Sequence, residues 1–222
     1  MKIAIFHNFM DNIGGAEQVT LALARGFDAD VYTTSLDVEK IKAMGYEDVA
    51  HRITSVGEVP KMAPFRQQLA LWKMRRIDAN KMLAKKIRQQ KKAGKPVSDE
   101  EARPYDFFII AGDWAMSAAV NNKPNMWYAH SPLNELWHFS AWIRETLLTP
   151  IKRPLFDIFT WFNRMLTRSY AKHVGIWVTN SRNVQARAKK YYGADSVVIN
   201  PPVIMSKSEA RPSLSGESAY WL

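Results

Sequence analysis

Residue types able to bind or react in this chain are concentrated directly after short apolar runs. His7, Asn8 and the pair Gly14-Gly15 follow Ile3 to Phe6; Gly112, Asp113 and Trp114 follow Phe107 to Ala111; His130, Ser131 and Pro132 follow Met126 to Ala129. Asn180 and Ser181 follow Ile176 to Thr179, and Asn200, Pro201 and Pro202 follow Val197 to Ile199. Gly14-Gly15-Ala16-Glu17 opens a helical stretch. A helix start leaves backbone N–H groups unpaired and carries about half a positive charge, so a phosphate or carboxylate can settle there if no Cβ blocks it. A glycine pair is also an ordinary turn, and neither G-x-G-x-x-G nor a P-loop lysine accompanies it. His130 fits either a ligand-facing group or a hydrogen-bonded structural histidine. Ser181 fits an N-cap for Arg182 to Tyr192 better than a substrate contact. Asp113 is open between loop stabilisation and substrate hydrogen bonding. Asp28-Ala29-Asp30 spells D-x-D but reads as a turn before a strand.

The apolar runs alternate with helical stretches, with strands expected at Ile3 to Phe6, Val31 to Thr33, Phe107 to Ala111, Met126 to Ala129, Ile176 to Thr179 and Val197 to Ile199. Near-continuous apolar strands joined by helices predict an α/β domain, a doubly wound, Rossmann-like parallel sheet. Ligands of such sheets bind beyond the carboxyl ends of the strands, where the candidate residues fall. Helices are expected over Ala16 to Arg25, Phe65 to Lys92, Trp114 to Val120, Leu155 to Arg168 and Arg182 to Tyr192, and Lys95 to Glu101 reads as a loop. The spacing of Phe65, Leu69 and Trp72 predicts a core-facing stripe. Leu155, Phe159, Phe162 and Leu166, widened by Phe156 and Trp161, predict another. Trp137, Phe139 and Trp142 lie upstream, interleaved with Arg144, Lys152, Arg153, Arg164, Arg168 and Lys172, and this composition also fits a helix lying on a membrane surface.

The formal charge is +10 over 222 residues, and Lys61 to Lys95 holds twelve basic residues against one acid, Asp78. A patch of this density attracts acidic lipid headgroups or other polyanions. Nucleic acid is the weaker expectation, since no nucleic-acid motif accompanies the charge. With no cysteine, the chain has neither disulfides nor thiol chemistry, and its five histidines have no metal-ligand spacing, so no metal is expected. No run approaches the roughly 18 apolar residues of a membrane span. The N-terminus lacks a signal-peptide core, and a cytoplasmic location is expected. From Ser206 to Ser218 the composition is that of a linker, and Ala219 to Leu222 looks like the opening of another strand. The expected organisation is therefore one domain over residues 1–205, then a linker and the start of a second domain over 206–222.

Together these segments resemble the N-terminal domain of a GT-B retaining glycosyltransferase of family 4. The resemblance rests on Gly14-Gly15-Ala16-Glu17, on Trp127-Tyr128-Ala129-His130-Ser131-Pro132 with Leu136-Trp137, and on Val178-Thr179-Asn180-Ser181 leading to Val198-Ile199-Asn200-Pro201-Pro202-Val203. Residues 38–103 match poorly. The resemblance implies transfer of a sugar from a nucleotide-diphosphate donor, such as GDP-mannose or a UDP-sugar, to an acceptor hydroxyl with retention and without a required metal. It puts Gly14 and Gly15 near the donor diphosphate and His130 at the donor sugar, as the catalytic-site histidine. Asp113, Trp114, Asn180 and Ser181 remain as acceptor or substrate candidates. The acceptor would be a glycan or lipid-linked sugar, and the pathway one of glycan or cell-envelope polysaccharide synthesis at the cytoplasmic face of a membrane. Anionic lipid would be met through residues 61–95 and 137–172. Most of the nucleotide pocket would lie in a C-terminal domain beyond this sequence, so the chain alone is expected to transfer little sugar. A different class of reading is a non-catalytic basic module docking on membrane or nucleic acid.

Overall fold

A computed structural model describes residues 1–12, 14–61 and 65–202. The expected linker and strand opening at 206–222 lie outside these residues. In chain order the elements are β1 (Ile3–Phe6), β2 (Phe9–Met10), α1 (Gly15–Gly26), β3 (Asp30–Thr33), β4 (Ser35–Leu36), α2 (Val38–Ala43), α3 (Glu47–Ala50) and β5 (Ile53–Ser55). Then come α4 (Arg66–Arg75), α5 (Ala79–Lys92), α6 (Asp99–Ala102), β6 (Phe107–Ile110), a 3-10 helix (Asp113–Val120) and β7 (Asn125–Ala129). α7 (Ser140–Trp142) leads through a π turn (Ile143–Leu147) and a 3-10 turn (Pro150–Lys152) into α8 (Arg153–Ala171), followed by β8 (Ile176–Thr179), α9 (Arg182–Tyr192) and β9 (Val197–Val198).

Seven strands form one parallel sheet in the order β5-β3-β1-β6-β7-β8-β9, with helices on both faces, which is the expected doubly wound α/β architecture. β1 is central and wholly buried, and its period of two feeds both layers. Ala4 and Phe6 join Leu71, Met74, Phe108, Met116 and Trp127 on one face. Ile3 and Ile5 join Leu21, Val31, Ile41 and Ile109 on the other. From β1 the chain winds outward through β3 to β5, then returns to β6 beside β1 and winds the opposite way. The reversal between β1 and β6 opens a crevice at their carboxyl ends.

The structure corrects three local expectations of secondary structure. The single helix over Phe65 to Lys92 is two, α4 and α5. Asp78 caps α5 by accepting from the Lys81 N–H at 3.0 Å, while buried Asn122 accepts from the Ala79 N–H (2.9 Å) and donates to the Ile77 carbonyl (2.9 Å). These partners satisfy backbone groups that a break would otherwise orphan. Trp114 to Val120 is wound as a 3-10 helix, and Asp99–Ala102 is a helical turn capped by Ser98 rather than loop.

Both predicted apolar stripes are oriented differently from expectation. α4 buries Ala70, Leu71 and Met74, leaving Phe65, Leu69 and Trp72 exposed. α8 buries Thr160, Asn163, Thr167 and Ala171, while Leu155 and Phe162 are exposed and Phe159 and Leu166 half-buried. The buried polar side chains donate within their own helix: Thr160 to the Asp157 carbonyl (3.0 Å), Asn163 to Phe159 (2.8 Å) and Thr167 to Asn163 (2.8 Å). Local back-bonding removes most of the cost of facing these groups inward. Small side chains also let α8 approach the Asp113–Val120 helix closely.

Candidate functional site

The crevice at the β1/β6 reversal holds a pocket of about 160 Å³ whose walls are the residues just past β1, β6 and β7: His7 and Asn8, Gly112 to Trp114, and His130 and Ser131. Ala16 and Glu17 of α1 close one side and Leu133 to Glu135 the other. Three separate segments of sequence thus meet because their strands are neighbours in the sheet.

His7 is buried between Glu17 Oε1, 3.2 Å from its Nε2, and the Thr20 hydroxyl, 2.9 Å from its Nδ1. Nε2 donates to the Glu17 carboxylate, and the Thr20 hydroxyl, which donates to the Ala16 carbonyl at 3.0 Å, meets Nδ1. The other Glu17 oxygen accepts from the Gly14 N–H at 2.9 Å. Burial pushes the Glu17 carboxyl up, but the hydrogen bond and charge of His7, together with the Gly14 N–H, outweigh it and hold the group below its ordinary value. The N-terminus of α1 therefore already faces a carboxylate of its own chain. A Cβ at Gly14 would lie 3.2 Å from that carboxylate, and one at Gly15 would meet nothing within 4 Å.

Among the described residues His130 Nε2 is buried without a hydrogen-bond partner, as is Asn8 Oδ1, and both residues line the pocket. Burial lowers the His130 imidazole to about 4, reinforced by His7 and opposed by Glu17. The ring is neutral near pH 7 and can donate or accept one hydrogen bond to a bound molecule. Asp113 shifts the other way: desolvation raises its carboxyl to about 8, with Glu135 adding to the rise and the Ser131 and His130 N–H groups and Arg187 opposing it. The Ser131 N–H donates to Asp113 Oδ2 at 3.1 Å. Near pH 7 this carboxyl keeps its proton and is a donor as well as an acceptor. The pocket thus juxtaposes a neutral imidazole, a protonated carboxyl and an ionised carboxylate, a set suited to hydrogen-bonding hydroxyls.

Gly112 is required sterically. A Cβ there would lie 2.6 Å from the Asn8 backbone nitrogen and closer still to its side-chain oxygen, so the strand ends of β1 and β6 can approach only with glycine in place.

Of the residues singled out in the sequence, Asp113, Trp114 and His130 line the pocket, Trp114 being largely buried in the core beneath it. Gly14, Gly15, Asn180 and Ser181 are not among its lining residues. Gly14 is linked to it through Glu17. Asn180 supports it from behind, donating to the His130 carbonyl at 3.0 Å. Ser181 caps α9, accepting from the Val184 N–H at 3.3 Å and donating to Asn180 Oδ1 at 3.1 Å. The D-x-D pair is engaged elsewhere: Asp28 pairs with Arg52, and Asp30 accepts from the Tyr105 hydroxyl.

Glu17, although inside the glycine motif, and Arg187 carry no site role in the sequence reading. For Glu17 the signal was its place three residues after Gly14, the reach of a side chain that caps its own helix start. Arg187 lies on α9 and reaches the pocket wall by donating to Asn134 Oδ1 at 2.7 Å, a contact visible only in three dimensions. Among the described residues no group of three or more His, Asp or Glu side chains could hold a metal ion, and no helix is long and apolar enough to cross a membrane. No family model matches the chain, and no curated protein matches it.

Proposed function

We propose that this chain is the acceptor-side, N-terminal domain of a GT-B retaining glycosyltransferase, moving a sugar from a nucleotide-diphosphate donor to a hydroxyl of a glycan or lipid-linked acceptor. GDP-mannose and UDP-sugars are the donors to test first. The observation that carries the reading is a pair of buried atoms without partners among the described residues, His130 Nε2 and Asn8 Oδ1, lining a pocket beside the α1 N-terminus at the switch point of a parallel sheet. A polyhydroxylated ring would supply both with partners. His130, neutral at working pH, orients a sugar hydroxyl. On this reading the Gly14 N–H and its neighbours at the start of α1 stabilise charge on the departing diphosphate, which takes the position that the Glu17 carboxylate occupies in the structure. The protonated Asp113 offers a donor to sugar or acceptor oxygen. A second domain would supply the remaining contacts to the nucleotide, and the reading includes a peripheral position on the cytoplasmic face of a membrane.

The test is a donor panel on the complete enzyme containing this chain, scored for transfer and for donor hydrolysis. Turnover of one nucleotide sugar, lowered by His130→Ala at unchanged fold, is the expected result. No turnover of any donor would reject the reading. The basic module without catalysis is favoured by the exposed lysines of α5, Lys81, Lys85, Lys86, Lys91 and Lys92. It predicts polyanion binding that falls steeply with salt and is indifferent to His130→Ala.

A further inference from the structure

We infer that the outward face of α8, continued by Phe65, Leu69 and Trp72, is a monotopic docking surface for an anionic phospholipid bilayer. The inference deepens the peripheral location proposed above, and it does not depend on sugar transfer.

α8 is amphipathic, but its apolar side points away from the protein. Leu155 is 71% exposed, Ile158 and Trp161 each 63%, and Met165 51%, and the preceding turn adds Ile151 at 87%. Phe65 stacks at a tilt on Phe159 with ring centroids 5.7 Å apart, which joins the exposed stripe before and along α4 to that of α8. Two separate stripes thus form one apolar surface, larger than the scattered exposed side chains of an ordinary monomer. At 19 residues α8 has the length of an interfacial helix, and it is too polar on its inner face to span a bilayer.

Charge identifies the occupant. Residues 143–172 carry six basic side chains against two acids, and one of those acids, Asp157, is already paired with Arg144 at 2.8 Å. Next to the apolar ridge, a groove is lined by Trp137, Trp161, Met165, Arg164, Arg168 and Lys172. Just past the end of α4, the Arg76 guanidinium lies over the Trp72 ring, 3.4 Å from its centroid. Apolar side chains bordered by cations and tryptophans match the layering of a leaflet, with acyl chains inside, carbonyls at the indole level and phosphates outside. A protein partner would need a matching acidic rim around an apolar groove, and a second copy of this chain would bring cations against cations.

Flotation of the full chain with vesicles tests the inference, with no donor or acceptor present, so its outcome is separate from that of the sugar-transfer reading. The expected result is binding at low salt to vesicles of equal phosphatidylglycerol and phosphatidylcholine, with little binding to pure phosphatidylcholine. The triple variant Leu155→Ser, Ile158→Ser, Trp161→Ser should lose it at unchanged circular dichroism, because these side chains are already in solvent. Lys152→Gln and Lys172→Gln should weaken it by about fivefold each. Brominated acyl chains should quench a fluorescence component that Trp161→Phe removes. Equal binding to both vesicle types, retention by the triple variant, or quenching unchanged in Trp161→Phe would each overturn the assignment. A dimer in sedimentation that the triple variant dissolves, without vesicle binding, would give the surface to a second copy instead.

Discussion

Replacing Asp113 by asparagine should stabilise the protein at neutral pH and leave it no more stable in acid. The carboxyl is raised by desolvation from 3.8 to about 8 in the folded state. Between those values the folded protein keeps a proton that the unfolded chain releases, so folding stability falls as pH rises through the window and levels off above it. At about pH 7 the interval amounts to about 3 pH units, or about 4 kcal/mol at 1.36 kcal/mol per unit. An amide escapes this protonation cost and still accepts from the Ser131 N–H, but it adds an N–H to satisfy, at about 1–2 kcal/mol. The net gain at about pH 7 is therefore about 2–3 kcal/mol, vanishing or reversing near pH 4. Urea unfolding of wild type and Asp113→Asn at intervals from acid to mildly alkaline pH measures the difference directly. The His130 contribution, which rises with pH between about 4 and 6.5, is present in both proteins and cancels. A difference that stays constant across the window would refute the claim that this carboxyl is protonated when folded.

On the proposed sugar-transfer reading, His130→Ala should lower kcat by about 10²-fold with little change in stability, measured by steady-state transfer and thermal unfolding. Gly112→Ala should cost about 2–3 kcal/mol in urea unfolding, because the added methyl meets the Asn8 backbone rather than a flexible side chain. Leu71→Ala should cost about 2–5 kcal/mol and Leu155→Ser no more than about 0.5 kcal/mol. Equal costs for these two leucines would mean that α8 or α4 is turned the other way.

The parallel sheet could be read from the sequence because its central strands are uninterrupted apolar runs, and the residues after them fall at one end of the sheet by topology alone. That is why Asp113 and His130, distant in sequence, could be singled out. β2, β4 and β5 are not legible because two or three residues outside a longer apolar run carry no periodicity, whereas β9, equally short, lies in the run Val197 to Ile199. The break between α4 and α5 depends on Asn122, more than forty residues away, and no local pattern reports it. Periodicity shows that α8 has two faces but carries no sign. Thr160, Asn163 and Thr167 became the inner one because they satisfy their own hydrogen bonds, which a hydropathy reading counts as a penalty. In the site, the pairing of Glu17 with His7 and the reach of Arg187 are tertiary contacts, so residue type alone could not assign them.

The way α8 is tied down has a dynamic consequence. Its side-chain bonds to the body come from Arg164, to the Leu136 carbonyl (2.7 Å) and Ser140 (2.7 Å), and from Arg168, to the Tyr191 carbonyl (3.2 Å), all in its C-terminal half. In the N-terminal half, among the described residues, Asp157 accepts from Arg144 and Arg153 donates to the Leu148 and Glu145 carbonyls, all three partners in the peripheral turn before the helix. Local opening should therefore begin at Arg153 and run toward Phe162, and amide hydrogen exchange should slow progressively along the helix. α8 would behave as a cantilever, clamped beside the pocket wall and free to lift at its far end.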